Sequence, residues 1–284
     1  MLVFPAFIVI LVLSLIPVSY SVYLSFTDYE ITKQSPPVFI GLKNYDWLFR
    51  DRVFLIAFKN TLTFTFAAVG SELFLGMLLA LLLNRPLRDR GFFRTMYLVP
   101  LLMPFIAAAL IWKWMYQAGY GVINYLIQLV GLKGLFWLSD PSIAMFSIIL
   151  VDIWLCTPFF MIVLLAGLQT IPQDLYDSAQ VDGASTPRIF WNITLPMLKP
   201  VLLVVILLRT IDSLRLFDLV YALTKGGPVD STQVLSLYTY QIGFQYLYVG
   251  RSSALSVVIL LVSFVVSLFY FRVVGIKTLL GSEE

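Results

Sequence analysis

Histidine is absent from this sequence, and cysteine occurs once, as Cys156. Without histidine there can be no Ser-His-Asp triad, histidine proton relay or histidine-ligated metal site. A single cysteine cannot form a disulfide within the chain. Charged residues are also scarce, at 12% of 284 residues against 60% hydrophobic, whereas soluble domains carry about 25% charged residues. The composition indicates a polytopic membrane protein, and we expect no catalytic residues and no metal site in it. The net charge of +3 is too small to favour nucleic acid as a partner.

Long apolar segments dominate the chain. A membrane-spanning helix needs about 20 predominantly apolar residues. The first such segment has no basic n-region and no small-residue cleavage site, so we expect a retained span instead of a signal peptide. The sequence thus predicts an all-α, polytopic membrane protein in which residues 1–284 form a single transmembrane domain. Its six predicted transmembrane helices cover about 2–26, 60–83, 93–116, 141–168, 201–224 and 252–274.

Lysines and arginines of the loops divide evenly between the two sides, eight on each, so the orientation is predicted from where they are densest. The short loop 84–94 holds Arg85, Arg88, Arg90 and Arg94. Because cytoplasmic loops are enriched in arginine and lysine, we expect this loop in the cytoplasm. An even number of spans then places both termini in the cytoplasm as well.

The loop between the fourth and fifth spans, residues 170–200, is unusually polar and carries strong helix signals. The letters "TIPQ" match a capping box with Thr170 as the N-cap of a helix. Gly183 follows this helix as a left-handed C-cap, and a second short helix ends at Pro196. We therefore expect a cytoplasmic helix–glycine–helix element. The local pattern also fits an amphipathic helix lying on the membrane surface.

The segment "LQTIPQDLYDSAQVDGASTPRIFWNITLPML" resembles the Glu-Ala-Ala loop of binding-protein-dependent ABC importer permeases, with Asp177, Ser178 and Ala179 at the Glu-Ala-Ala positions. The segments "SFTDYE", "FIGLKNY" and "FDLVYALTKGGPVDSTQVLSLYTYQIGF" resemble the carbohydrate permeases of that family, in the same order. The resemblance implies that the loop is a coupling helix that docks on a cytoplasmic ATPase subunit. The implied coupling residues are Tyr176, Asp177, Ser178, Ala179, Asp182, Gly183, Ala184 and Pro196.

The same resemblance implies the rest of the assembly. The chain would be one permease subunit of an ABC importer in the bacterial cytoplasmic (inner) membrane, in contact with lipid, moving a disaccharide such as trehalose or maltose. Its expected partners are a second permease subunit, two ATPase subunits and an extracytoplasmic sugar-binding protein. No G-x-x-x-x-G-K-[ST] phosphate loop occurs in the sequence, so ATP and magnesium are expected in the ATPase subunits and no cofactor in this chain.

Ionisable residues inside the predicted spans are candidates for a transport path, because such residues usually face the bundle interior or water. Asp152 shares its helix face with Leu155, Cys156 and Phe159. A carboxylate beside an aromatic ring suits a sugar, whose hydroxyl groups need acceptors and whose C–H face packs on a ring. An interhelical hydrogen bond or ion pair of Asp152 is the alternative. The predicted substrate path comprises Asp152, Leu155, Cys156, Phe159, Asp212, Ser213 and Leu216.

Other charged residues are interpreted structurally. Arg209, Asp212, Arg215 and Asp218 recur every three residues, a spacing that favours ion pairs between neighbours over four ligands. Lys113 lies between two tryptophans and is expected to reach the membrane interface as an anchor.

A second class of function stays open at this point. An ion-coupled secondary transporter would use Asp152 or Glu72 as its coupling carboxylate. The sequence shows no inverted repeat and no matched pair of glycine- or proline-broken spans, which favours the importer.

Overall fold

The computed structural model describes residues 4–33, 35–86 and 88–274, and these ranges fold into helices and loops without a strand. A 3-10 turn at Pro100–Leu102 and π turns at Phe190–Thr194 and Gln241–Gln245 connect neighbouring helices. The α-helices are α1 Phe4–Ser25, α2 Lys43–Arg50, α3 Arg52–Asn84, α4 Arg90–Leu98, α5 Phe105–Met115, α6 Val122–Leu129, α7 Ala144–Gln169, α8 Gln173–Val181, α9 Thr186–Ile189, α10 Leu195–Leu214, α11 Asp218–Leu223, α12 Leu235–Tyr240 and α13 Val249–Val274.

Fewer helices meet the criteria for a membrane span than the six predicted. Within the described ranges, four are long and apolar enough: Arg52–Asn84, Ala144–Gln169, Thr186–Leu214 and Val249–Tyr270. The bent pair Arg90–Leu102 and Phe105–Met115 makes a fifth if it is counted as one span. In the first predicted span, α1 has 22 residues, and its stretch Leu11–Ser25 is an apolar helix. The count of six therefore remains a prediction.

The third predicted span, 93–116, is not one straight helix. The chain bends by 96° between its two helical parts. Pro100 begins the 3-10 turn and Pro104 precedes α5. Proline lacks the backbone N–H of a helical hydrogen bond and restricts the preceding residue, so two prolines four residues apart interrupt the helix.

The fifth predicted span, 201–224, also differs from expectation, because α10 ends at Leu214 and α11 begins at Asp218. No proline or glycine marks this break. The carbonyl of Leu216, which is released from the helical ladder, accepts a hydrogen bond from the hydroxyl of Ser236. A distant part of the chain thus compensates the lost helical bond.

Pro196 does not end a short helix as the sequence predicted, because helical structure continues from Thr186 to Leu214. The π turn just before it has the N–H of Leu195 bonded to the carbonyl of Phe190, five residues back. This wider turn changes the hydrogen-bonding register ahead of the proline. Pro196 can then occupy the first turn of α10, where its missing N–H costs little.

Helices α3 and α7 form the centre of the bundle and run in parallel. Their first halves share one hydrophobic cluster, which includes Phe64 and Ile148. Their second halves share another, which includes Leu83 and Leu168. The ends of both helices therefore lie at the same end of the bundle, so the arginine-rich 84–94 loop and the α8–α9 segment share one side.

Candidate functional site

A buried ion cluster joins three helices at the centre of the bundle. Arg209 of α10 donates from Nε to Glu72 of α3 over 2.9 Å and from Nη2 to the other Glu72 oxygen over 3.1 Å. The same Nη2 donates to Asp152 of α7. Glu72 and Asp152 are fully buried, and Arg209 is only 6% exposed. One guanidinium bridges two carboxylates that would otherwise lie uncompensated in the protein interior.

Cys156 completes this cluster one helical turn after Asp152. Its Sγ lies 3.8 Å from Asp152 Oδ1 and donates to it. Glu72, Asp152 and Cys156 place potential ligand atoms within 4.8 Å of one another. Because Arg209 already bridges both carboxylates, the geometry is that of an ion-pair network.

A cavity of about 500 Å³ lies beside the cluster, where α5, α7 and α10 meet. Asp152 and Arg209 form part of its wall, so the ion pair stands between the cavity and Glu72. Phenylalanine rings and charged groups surround the same space. Its lining is Leu101, Phe105, Asp152, Cys156, Phe159, Arg209, Asp212, Arg215, Leu216, Phe217 and Asp218.

Five of the seven predicted path residues line this cavity: Asp152, Cys156, Phe159, Asp212 and Leu216. The other two lie outside its lining. Leu155 packs in the hydrophobic core at 2% exposure. Ser213 is fully buried and donates to the carbonyl of Thr210 over 2.9 Å.

Six cavity residues lay outside the predicted path. Arg209, Arg215 and Asp218 had been interpreted as ion-pairing residues, and Leu101, Phe105 and Phe217 had not been singled out. Leu101 and Phe105 face the cavity only because the chain bends between them, and Phe217 does so because α10 ends before it. The two prolines at positions 100 and 104 were the available signal for the first pair. No local signal marked the second break.

The charged residues of α10 split into two environments. Asp212 and Arg215 pair over 3.5 Å at 65% and 64% side-chain exposure, as their spacing predicted. Arg209, in contrast, pairs across helices. Lys113, predicted as an interface anchor, donates from Nζ to the carbonyl of Ala222 over 2.8 Å.

The segment after α7 forms two helices separated by Gly183, whose φ is +73°. The N–H of Gly183 bonds to the Gln180 carbonyl over 3.0 Å, and that of Ala184 to the Ala179 carbonyl over 2.9 Å. These two bonds define a Schellman motif, in which glycine adopts the left-handed conformation without a Cβ penalty. The turn is therefore fixed by local hydrogen bonds.

The capping box predicted at Thr170 does not form. The Thr170 hydroxyl donates to the Gly167 carbonyl over 2.8 Å at the end of α7, and Pro172 occupies the N-cap position of α8. Gln173 instead donates its side-chain amide to Asp177 over 3.1 Å, one turn later.

The α8–α9 element is held on one side and exposed on the other. The hydroxyls of Tyr176 and Thr194 lie 3.3 Å apart and tie α8 to the start of α10. Among the implied coupling residues, Tyr176, Ala179 and Ala184 are half-buried. The exposed ones are Asp177, Ser178, Asp182, Gly183 and Pro196.

Comparison with known proteins identifies the family to which this architecture belongs. Residues 72–275 match the family described as the binding-protein-dependent transport system inner membrane component. The chain belongs to this family. It is a permease subunit of an ABC importer, a multi-pass protein of the inner membrane, and the ATPase of such a transporter is a separate chain.

Curated relatives match this permease over almost its full length. The trehalose/maltose transport system permease protein MalF of Thermococcus litoralis is 40% identical over 94% of this chain and 90% of its own. The sulfoquinovosyl glycerol transport system permease protein SmoG of Agrobacterium fabrum is 39% identical over 98% of this chain and 90% of its own. The trehalose transport system permease protein SugA of Mycobacterium tuberculosis is 34% identical over 97% of this chain and 88% of its own.

Solved structures agree with the fold of this permease. A crystal structure of a bacterial ABC transporter involved in import of the acidic polysaccharide alginate matches with a TM-score of 0.83 at 26% identity, covering 94% of this chain and 92% of the other. The same TM-score holds for the alginate transporter in complex with its alginate pentasaccharide-bound periplasmic protein, at 25% identity over 98% and 93%.

Proposed function

We propose that this permease carries a neutral carbohydrate, a disaccharide such as trehalose or maltose, into the cell through the cavity at Asp152. The observation that carries the proposal is the composition of the cavity wall, which combines aromatic rings with hydrogen-bonding charged groups. Relatives named for trehalose and maltose support the same cargo.

The wall offers both kinds of contact that a sugar needs. Phe105, Phe159 and Phe217 supply apolar surfaces for C–H faces. The exposed Asp212 carboxylate accepts hydrogen bonds from hydroxyl groups, and the exposed Arg215 guanidinium donates them. Three aspartates stand against two arginines in this lining, which favours a neutral cargo over an anion.

Helix connectivity links this cavity to the α8–α9 element. Helix α7, which carries Asp152, leads into α8, and α9 leads through a π turn into α10, which carries Arg209. A displacement of the element is thus applied directly to two walls of the cavity. We infer that an ATPase subunit seated on the exposed face of α8 drives alternating access in this way.

The complete transporter would contain this chain, a second permease subunit, two ATPase subunits that bind ATP and magnesium, and an extracytoplasmic sugar-binding protein. We propose six spans with both termini and the α8–α9 element in the cytoplasm. The alginate transporter with its bound periplasmic protein supports an assembly of this type.

The alternative function, an ion-coupled secondary transporter, has no free carboxylate among its two candidates. Both candidate carboxylates, Glu72 and Asp152, are bridged by Arg209 and are therefore committed to an internal ion pair. Family membership also assigns the chain to importers that depend on a binding protein.

The coupling role is tested with Asp177→Lys and Gly183→Pro in the complex purified with its ATPase subunits. Both variants should lose sugar uptake and transport-stimulated ATP hydrolysis in proteoliposomes, or release the ATPase. Asp46→Lys, a charge reversal at an exposed position of α2, serves as the matched control and should retain the ATPase subunits. Normal uptake by both α8–α9 variants, or uptake without an ATPase, would contradict the proposal.

A further inference from the structure

A second cavity, of about 390 Å³, lies at the other end of α5 and α11 from the cavity at Asp152. Helix α5 begins with Phe105 at the first cavity and reaches the second at Lys113. Helix α11 likewise runs from Asp218 at the first to Leu223 at the second. Eight helical residues span about 12 Å at 1.5 Å each. The two cavities thus share a wall formed by α5 and α11, with one cavity at each end of these helices.

The second cavity presents hydrogen-bonding groups that the described parts of the chain do not use. Lys113 gives one N–H to the Ala222 carbonyl and keeps two of its three donors. Within the described ranges, the side chains of Gln117 and Ser139 have no hydrogen-bond partner, and no carboxylate lines the space. Donors are therefore available to a ligand rich in hydroxyl groups.

Aromatic rings supply the remaining surface. Phe136 is 65% exposed at the cavity. Tyr116 and Trp137 turn their polar atoms away from it, toward the Ser147 carbonyl at 3.0 Å and Asn124 Oδ1 at 2.9 Å. Their rings face each other with centroids 5.2 Å apart. These two residues therefore contribute apolar ring surface to the cavity wall.

The loop that carries this surface is fixed in place by one buried side chain. Asn124 is 3% exposed. Its amide donates to the Leu135 carbonyl over 2.9 Å, and its oxygen accepts from the Leu135 N–H over 3.0 Å. The cavity is thus a preformed site. Its volume of about 390 Å³ lies within the range of about 300–1,000 Å³ that is typical of small-ligand pockets.

We propose that this cavity is an outer subsite that binds one sugar ring of the cargo before the cargo reaches the cavity at Asp152. Ring surfaces with free donors and no acid favour a pyranose over a cation. The identity of the cargo rests on the proposed function. The shared α5–α11 wall provides a direct route from one subsite to the next.

The test exploits the single, buried cysteine of the chain, Cys156. Ser139→Cys and Gln117→Cys are made in the complete transporter in nanodiscs, without binding protein, and modification by a small charged thiol reagent is followed by mass spectrometry of this chain. Trehalose or maltose should slow modification at both positions by about fivefold or more in a saturable manner, whereas sorbitol should not. Gln128→Cys on α6, outside the cavity lining, should be unaffected.

Absence of protection by either disaccharide would overturn the subsite. Protection only in the presence of binding protein would also overturn it, because the cavity would then be a socket for that protein. Uptake by the wild-type complex is measured in parallel. Uptake without protection removes the outer subsite alone, whereas loss of both removes the cargo assignment as well.

A second measurement asks whether the subsite contributes to transport. The double variant Gln117→Ala and Ser139→Ala removes two side chains without hydrogen-bond partners among the described residues, so folding should not change. The KM for uptake should rise about fivefold, the cost of losing hydrogen bonds to the cargo. An unaltered KM would contradict the proposal.

Discussion

The ion cluster at Arg209 and the α8–α9 element differ in how far apart their interacting residues lie in the sequence. Arg209 bonds to a carboxylate 137 residues away and to another 57 residues away. The turn at Gly183, in contrast, is closed by bonds that reach back three and five residues. The cluster is buried and its formation depends on the folded bundle, whereas the element is exposed and is formed by its own local bonds. Stability should therefore depend on the first region and coupling on the second.

The largest effect on stability is expected for Arg209→Met, because two fully buried carboxylates lose their common partner. Removing one member of a buried ion pair costs about 3–5 kcal/mol. Thermal unfolding of the purified complex should show this loss. The triple variant with Glu72→Gln and Asp152→Asn should recover much of it, and an unchanged unfolding temperature for Arg209→Met alone would show that the cluster does not stabilise the bundle.

The next effect is expected at Gly76, where α3 meets α7. A Cβ added at Gly76 would lie 2.4 Å from the Cβ of Phe160, whereas one at Gly70 on the same helix would meet nothing within 4 Å. Gly76→Ala should destabilise by about 1–3 kcal/mol because of overpacking. Gly70→Ala should be neutral or stabilising by up to about 1 kcal/mol, since alanine favours helix. Equal unfolding temperatures for the two variants would refute this packing argument.

A smaller and more local effect is expected for Gly183→Ala. A Cβ in the left-handed conformation costs about 1–2 kcal/mol, and this strain falls on an element whose α8 has no buried residue among those described. Amide hydrogen exchange of α8 should quicken while that of α7 does not. Gly91→Ala, at an open position in α4, is the control and should leave both rates unchanged. Faster exchange throughout the bundle would mean that the element is not independent.

The smallest effect on stability is expected for Arg215→Met, six residues after Arg209. Its pairing with Asp212 is 3.5 Å long and exposed, and exposed pairs contribute about 0–1 kcal/mol. The unfolding temperature should hardly change, while the KM for sugar uptake should rise because Arg215 lines the cavity. A destabilisation as large as that of Arg209→Met would erase the distinction between the two arginines.

Local signals in the sequence were sufficient for much of the architecture. The apolar segments predicted where α3, α7 and α13 lie, and the glycine after a polar helix predicted the turn at Gly183. The family resemblance rested on four segments, of which this is one, and agrees with the family match over residues 72–275. In each case the deciding interactions lie within a few neighbouring residues.

Other features could not be predicted locally. The break after α10 is compensated by the hydroxyl of Ser236, which donates to the Leu216 carbonyl from twenty residues further along. The continuation of helix through Pro196 depends on a π turn that no residue type requires. The prediction at Thr170 was wrong because its side chain found a backbone carbonyl that the sequence pattern did not reveal.

The sequence by itself determined that this protein is a helical membrane protein with a helix–glycine–helix element, because hydrophobicity and turn chemistry act over short stretches of chain. Only the tertiary structure decided that Arg209 would join Glu72 and Asp152. It also decided that broken helices would bring Phe105 and Phe217 to one cavity. The physical reason is that a buried charge must pair with an opposite charge that lies near it in the folded structure. How far apart the two residues lie in the sequence does not matter for this pairing.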